Sequence, residues 1–185
     1  MAKVMSRESM ERYSKGVGSC GKMAEAEMRA SLREYLRERP DASVEDIRNF
    51  CIRRIGEVGG FYGGAAQQLA ETLLAEVSEL NGYAAPRLDG YVYAPDMERI
   101  DGDVHYLMEK WKKGDEQGFI DAVCATARSS AEFGANATMA HAAAKQAERN
   151  GKKGGKRKET RGGGRKQASA LRFARVPMGG KETCD

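Results

Sequence analysis

Residues 43–82 read SVEDIRNFCIRRIGEVGGFYGGAAQQLAETLLAEVSELNG, and the spacing of their apolar side chains decides the fold class. Ser43 with Asp46 three residues later is a helix-start signal: the hydroxyl can accept from a free backbone N–H, and the acid meets the positive end of the helix dipole. Val44, Ile47, Cys51, Ile55, Val58, Tyr62, Ala66, Leu69, Leu73, Val77 and Leu80 then follow in steps of three or four. That spacing holds side chains on one face of an α-helix. Asn81-Gly82 ends the pattern, and a helix over the whole stretch would be about 57 Å long.

Five glycines interrupt its middle: Gly56, Gly59, Gly60, Gly63 and Gly64. Each costs roughly 1 kcal/mol relative to alanine inside a helix, so their presence needs a reason. Gly56, Gly60 and Gly64 recur every four residues and form one smooth strip, which predicts close helix packing there or a kink. A phosphate-cradling loop would need a Gly-Lys-Ser/Thr ending, and the stretch has none.

Working outward, residues 5–39 carry a weaker helical stripe (Met23, Ala26, Ala30, Arg33, Leu36), with interruptions expected near Gly16, Gly18 and Gly21. Pro40 ends it, because proline disfavours helix in the residue before it. Residues 82–95 form a connector rich in tyrosine and proline. Asp96 caps a helix with Met97, Ile100, Val104, Leu107 and Trp111 on one face, ended by Gly114. Asp115 caps the last helix, which carries Phe119, Ile120, Val123, Cys124 and Ala127 and continues alanine-rich to about Arg149.

After Asn150 the character changes. Residues 151–175 hold ten Lys or Arg against Glu159 alone, a net +9 in a chain whose total is +4, so the first 150 residues are mildly acidic at −4 and the last ten are at −1. Such a glycine-rich basic run has little to bury and reads as a flexible, solvated linker. Residues 170–177 alternate Leu171, Phe173 and Val176 against Arg172 and Arg175, a strand pattern. The expected organisation is therefore mainly α: an elongated helical bundle with a long central helix over 1–150, a basic linker over 151–169, and a short strand or coil over 170–185.

Composition excludes several classes. No run approaches the roughly 18 apolar residues of a membrane span, and the N-terminus lacks the apolar core of a signal peptide. A cytoplasm, or a particle assembled in one, is the expected location. Cys20, Cys51, Cys124 and Cys184 are scattered, with no complete Cys-x-x-Cys, so Cys51 and Cys124 read as buried small hydrophobes on helical stripes. The only histidines are His105, four residues after Asp101, and His141, in the alanine-rich helix ahead of Glu148. A side-chain hydrogen bond is the commoner fate of such residues than a metal or a proton shuttle. Glu71, Glu76 and Glu79 are spaced for surface contacts, not for acid–base work. The reading is of a protein that is no enzyme, with no catalytic residues, no metal and no cofactor. Its one strong chemical signal is the run Lys152, Lys153, Lys156, Arg157, Lys158, Arg161, Arg165 and Lys166. Cations on a glycine-rich chain can follow a phosphate backbone without reading its sequence. A solubilising linker and attraction to an acidic protein surface are the alternatives, and the absence of aromatic residues there argues against sequence-specific single-strand recognition.

The tail carries a resemblance. Phe173-Ala-Arg-Val-Pro177, Gly179-Gly180 and Glu182-Thr-Cys184 resemble the junction in Mu F-type head-morphogenesis proteins, the minor head proteins of tailed phages, where an Ala-Arg-Val-Pro stretch leads to a Glu-Thr-Cys-x-x-Cys motif. The stretch from Gly56 to Ala70, with Tyr62-Gly-Gly-Ala-Ala66, is similar to that family's Tyr-Gly-x-Ala-Ala-x-Leu-Ala helix, and Asp103 to Asn150 follows the pattern more loosely. The match is to the family's N-terminal helical part. The second cysteine would fall beyond Asp185, so no metal or disulfide role passes to Cys184. The resemblance implies a structural protein of the virion head that meets the portal or major capsid protein during assembly, DNA packaging or ejection, with nonspecific contact to packaged DNA. A homo-oligomer is expected as well, since long amphipathic helices with small-residue strips seek partners. The alternative is a non-enzymatic nucleic-acid-binding protein using the basic tail.

Overall fold

The computed structural model of the chain describes residues 5–155. Four α-helices make up its regular structure: α1 (Arg7–Glu38), α2 (Val44–Leu80), α3 (Met97–Lys112) and α4 (Glu116–Gly155). The mainly α expectation holds. Among the described residues there is no strand.

Local chemistry sets the helix ends. Ser6 caps α1 by accepting from the Ser9 N–H at 3.1 Å. At the start of α2, Ser43 Oγ accepts from the Asp46 N–H at 3.1 Å and the Asp46 carboxylate accepts from the Ser43 N–H at 3.1 Å, the reciprocal pairing its sequence predicts. These bonds hold the Asp46 carboxyl below the usual carboxylate range. α2 stops at Gly82, whose φ of 69° only glycine adopts readily. The Gly82 N–H then returns to the Glu79 carbonyl at 3.0 Å and the Tyr83 N–H to that of Ser78 at 3.0 Å, pairing carbonyls the helix end would leave open. Gly114 ends α3 in the same way (φ 80°), with Asp115 N–H on the Lys110 carbonyl at 3.0 Å. One residue on, the Asp115 side chain caps α4 by accepting from the Gly118 N–H at 3.0 Å.

Short turns make α1 and α2 antiparallel. Residues 83–95 then run back along α2 as an extended strap and α3 continues in the same direction: Tyr93 lies against Gly63, Pro95 against Gly60 and Met97 against Gly56. Arg48, near the start of α2, bonds Asp101 of α3. α4 turns once more and runs parallel to α2, so that Ser130 meets Gly59 and Gly134 meets Gly63. The path is up, down, up, down. α2 and α4 form a central pair, with α1 on one side and the strap with α3 on the other.

The core divides accordingly. Where four helices surround the axis, large side chains fill it: Met28, Leu32, Ile47, Ile55, Val104, Met108, Phe119 and Val123, with Cys51 and Cys124 among them. Where the thin strap replaces a helix, the interior shrinks to Ala66, Ala70 and Ala135, flanked by Tyr13, Val17, Cys20 and Met139. Less space between elements demands smaller side chains at the same packing density.

Two expectations change. α1 is continuous through Gly16, Gly18 and Gly21, and at two of them a partner side chain stands where a methyl would go: Leu69 Cδ1 lies 2.8 Å from an ideal Cβ on Gly16 and Glu132 Oε1 lies 2.3 Å from one on Gly21. The helix penalty of these glycines is offset by the closer approach they allow. The stripe of α2 follows the predicted positions from Ile47 to Val58, then widens to bury Gly59, Gly63, Gln67, Ala70, Leu74 and Ser78. A helix at the centre must bury two sides, whereas the predicted stripe assumed one.

Candidate functional site

Two features stand out: the α2–α4 crossing under the strap, and the basic end of α4. At the crossing an ideal Cβ on Gly134 would lie 2.1 Å from the Gly63 carbonyl oxygen, well inside contact distance, and one on Gly59 would lie 2.4 Å from Ser130 Oγ. The close approach of α2 to α4 therefore uses Gly59 and Gly63. This corrects the predicted strip in part: the α2–α4 contact lies one register over, while Gly56 of the predicted strip packs closely against α3. Gly56 accommodates Met97 at the start of α3, Gly60 lies in ordinary contact with Pro95, and Gly64 faces open space. Both strips obey the four-residue spacing, so spacing alone could not choose between them.

The strap is anchored over this crossing by a side chain acting as a strand partner. Gln67 is buried on α2; its Nε2 donates to the Tyr91 carbonyl at 2.7 Å and its Oε1 accepts from the Tyr93 N–H at 2.7 Å. Tyr93 drops its ring into the space above Gly63 and donates its hydroxyl to the Ser130 carbonyl at 2.7 Å. Burial pushes the Tyr93 phenol above its usual range. Just before, Asp89 (φ 50°) and Gly90 (φ 75°) make a tight turn closed by the Tyr91 N–H on the Leu88 carbonyl at 2.8 Å. Two consecutive positive φ values mark a type I′ turn, for which Asp-Gly is a preferred pair. That dipeptide was the available signal for a turn within the connector.

His141 belongs to the same anchor. Its Nε2 lies 3.2 Å from the Leu88 carbonyl and its ring stacks on Tyr91 at 4.4 Å. Lys145, one turn on, pairs with Asp89 at 3.7 Å. His105 is exposed on α3, and Asp101, its expected partner, bonds Arg48 instead. Of the three acids assigned to surface contacts, Glu71 accepts from Gln67 Nε2 at 2.7 Å and Glu76 reaches Arg12 of α1 at 3.3 Å. Cys51 and Cys124 lie in the core, where burial raises their thiols to about 12 and about 11. No group of three or more His, Cys, Asp or Glu among the described residues is placed to hold a metal ion.

Ion pairs join α1 to its neighbours. Arg54 of α2 reaches Glu27 of α1 at 2.5 Å, and the Tyr62 hydroxyl donates to the other Glu27 oxygen at 2.8 Å. Arg29 of α1 reaches Asp121 of α4 at 2.5 Å, and Arg128 of α4 lies 3.7 Å from Glu25.

At the far end, α4 continues five residues into the segment read as linker, through Gly155, so Lys152 and Lys153 sit on its last turns. Lys156, Arg157, Lys158, Arg161, Arg165 and Lys166 lie outside the described residues, as do Cys184 and the strand-like residues 170–177.

A family model described as VG15 protein matches residues 4–185. The chain belongs to the VG15 protein family. This is a phage gene-product family, so the viral part of the expectation stands. The VG15 match takes in the helical bundle and the basic segment alike. No curated protein and no solved structure matches the chain. Among the described residues of this VG15 protein, no helix is long and apolar enough to cross a membrane.

Proposed function

We propose that this VG15-family protein is a structural, non-enzymatic component of a tailed-phage head, meeting the portal or major capsid protein and touching packaged DNA without reading its sequence. The observation that carries the reading is a two-helix spine, α2 and α4, whose second member leads directly into the cationic run. Many polar groups are committed to holding the bundle together, among them Glu27, Arg29 and Arg54 between helices and Gln67 between α2 and the strap. The charges of the basic run, in contrast, are opposed within the run by Glu159 alone, and such charges gain free energy by displacing counterions from a phosphate backbone. The likeness of residues 173–184 and 56–70 to Mu F-type head-morphogenesis proteins supports a place in the head.

The test is biochemical. Purified heads and portal-containing fractions from infected or induced cells are analysed by mass spectrometry for this chain. Co-purification with the portal is the expected result; consistent absence from heads would remove the assignment. The basic run alone would equally suit a nucleic-acid-binding protein acting outside the particle. That second reading predicts nucleic-acid affinity together with absence from heads.

A further inference from the structure

We infer that residues 88–95 are a latch: they open as one unit, keyed by the Tyr93 ring, while all four helices stay packed. Resistance to local opening comes from buried apolar contact and backbone pairing, and the strap has little of either. Among residues 83–95 only Tyr93 is buried, and Val92 is 77% exposed. Among the described residues, the one backbone–backbone hydrogen bond of residues 84–95 is that of the Tyr91 N–H to Leu88, inside the strap itself. Side chains tie its main chain to the helices: Gln67 of α2 takes both Tyr91 and Tyr93, and His141 of α4 reaches Leu88. One carboxamide spanning residues 91 and 93 couples them, since losing either bond leaves the other misaligned.

The rest of the bundle has its own supports. α2 meets α4 directly at Gly134, and α1 is tied to both by the pairs Arg54–Glu27 and Arg29–Asp121. α3 keeps Ile100, Val104 and Met108 in the core. Gly82 and Asp96 therefore stay in place at the two ends while the chain between them lifts. The key is the fit of one ring to one glycine. An ideal Cβ on Gly63 would run into Tyr93, whose ring supplies the three atoms nearest to it. The ring thus sits in a slot that any side chain at position 63 would fill. Lifting it trades one surface for another: Val92 and Ala94 are presented when the strap is closed, and the buried Gly63, Gln67 and Ser130 when it is open.

Native-state hydrogen exchange on the full-length chain tests the latch. Corrected for intrinsic rates, the Tyr91 and Tyr93 amides should exchange together, at least roughly a hundredfold faster than those of Cys51 and Val123. Tyr93→Phe loses only the bond to the Ser130 carbonyl and should raise the opening constant roughly three- to tenfold. Gly63→Ala should displace the ring and leave the Tyr93 amide unprotected, with helix content by circular dichroism unchanged. Tyr93→Ala, which empties the slot, should expose the amides of residues 91 and 93 equally while the core amides stay slow. Strap and core amides exchanging at one common rate in the wild type would overturn the inference. So would loss of core protection in Tyr93→Ala, or a strap no more open in Tyr93→Phe than in the wild type.

Discussion

The carbonyl oxygen of Gly63 occupies the space that a Cβ on Gly134 would need, 2.1 Å from its ideal position. Helix backbones meet there with no side chain between them. The approach is possible because residue 134 is glycine, while the glycine at 63 makes room for the Tyr93 ring of the strap.

Gly134→Ala should therefore destabilise the fold. The added methyl meets backbone, which cannot rotate away, so a loss of about 2 kcal/mol is expected. In a chain of this size that corresponds to roughly 4–8 °C in Tm. Gly64→Ala adds its methyl to open space and should stabilise by about 0.5–1 kcal/mol through helix propensity. Thermal and urea unfolding of the two variants check this; equal effects would contradict the crossing geometry.

Gln67→Leu keeps apolar volume but leaves the Tyr91 carbonyl and the Tyr93 N–H without partners. Such unpaired buried groups cost about 1–3 kcal/mol. Hydrogen exchange should localise the change, with the Tyr93 amide accelerating while those of Cys51 and Val123 stay slow. Uniform acceleration across all helices would mean that the carboxamide is no local anchor.

The buried thiols predict an alkaline limit. Burial raises Cys51 from 9.0 to about 12 and Cys124 from 9.0 to about 11. A thiol held neutral in the folded state but free to ionise when unfolded contributes stability that is full below pH 9 and is lost as pH rises towards those folded values. Stability of the wild type should fall between pH 9 and 11, and the fall should be shallower in Cys51→Ala and Cys124→Ala measured against their own neutral-pH values. In the native protein at pH 8, alkylation should reach the half-exposed Cys20 before Cys51 or Cys124.

The basic run predicts a salt signature. In B-DNA each phosphate contact contributes a slope of about −0.9 in log affinity against log salt. Replacing Lys156, Arg157 and Lys158 by glutamine in the full chain should weaken binding to unrelated duplexes equally and flatten the slope. Filter binding from low to physiological salt measures it. An unchanged slope would exclude these three side chains from DNA contact.

Much of this fold was written locally. The caps at Ser43, Asp96 and Asp115, the stops at Gly82 and Gly114 and the buried stripe from Ile47 to Val58 all depend on neighbours within a turn, so spacing and residue type sufficed to find them. The glycine register was not legible: Gly59/Gly63 and Gly56/Gly60 carry the same spacing, and what separates them is which face α4 occupies. Nor was the role of Gln67, an unremarkable amide in a helix until the strap lies over it. His141 looked like a solitary ring among alanines and proved to be a strap contact through Tyr91 and Leu88.

The amino-acid order by itself determined four helices, the ends of α2 and α3, the starts of α2, α3 and α4 and the charge divide near residue 150, because helix periodicity, capping and net charge are properties of adjacent residues. Only the tertiary structure decided that α2 and α4 run parallel and touch at Gly63 and Gly134, and that residues 83–95 lie over that contact as a strap. Those relations join positions about thirty to seventy residues apart along the chain, and they are set by how much volume each layer of the bundle leaves for the next.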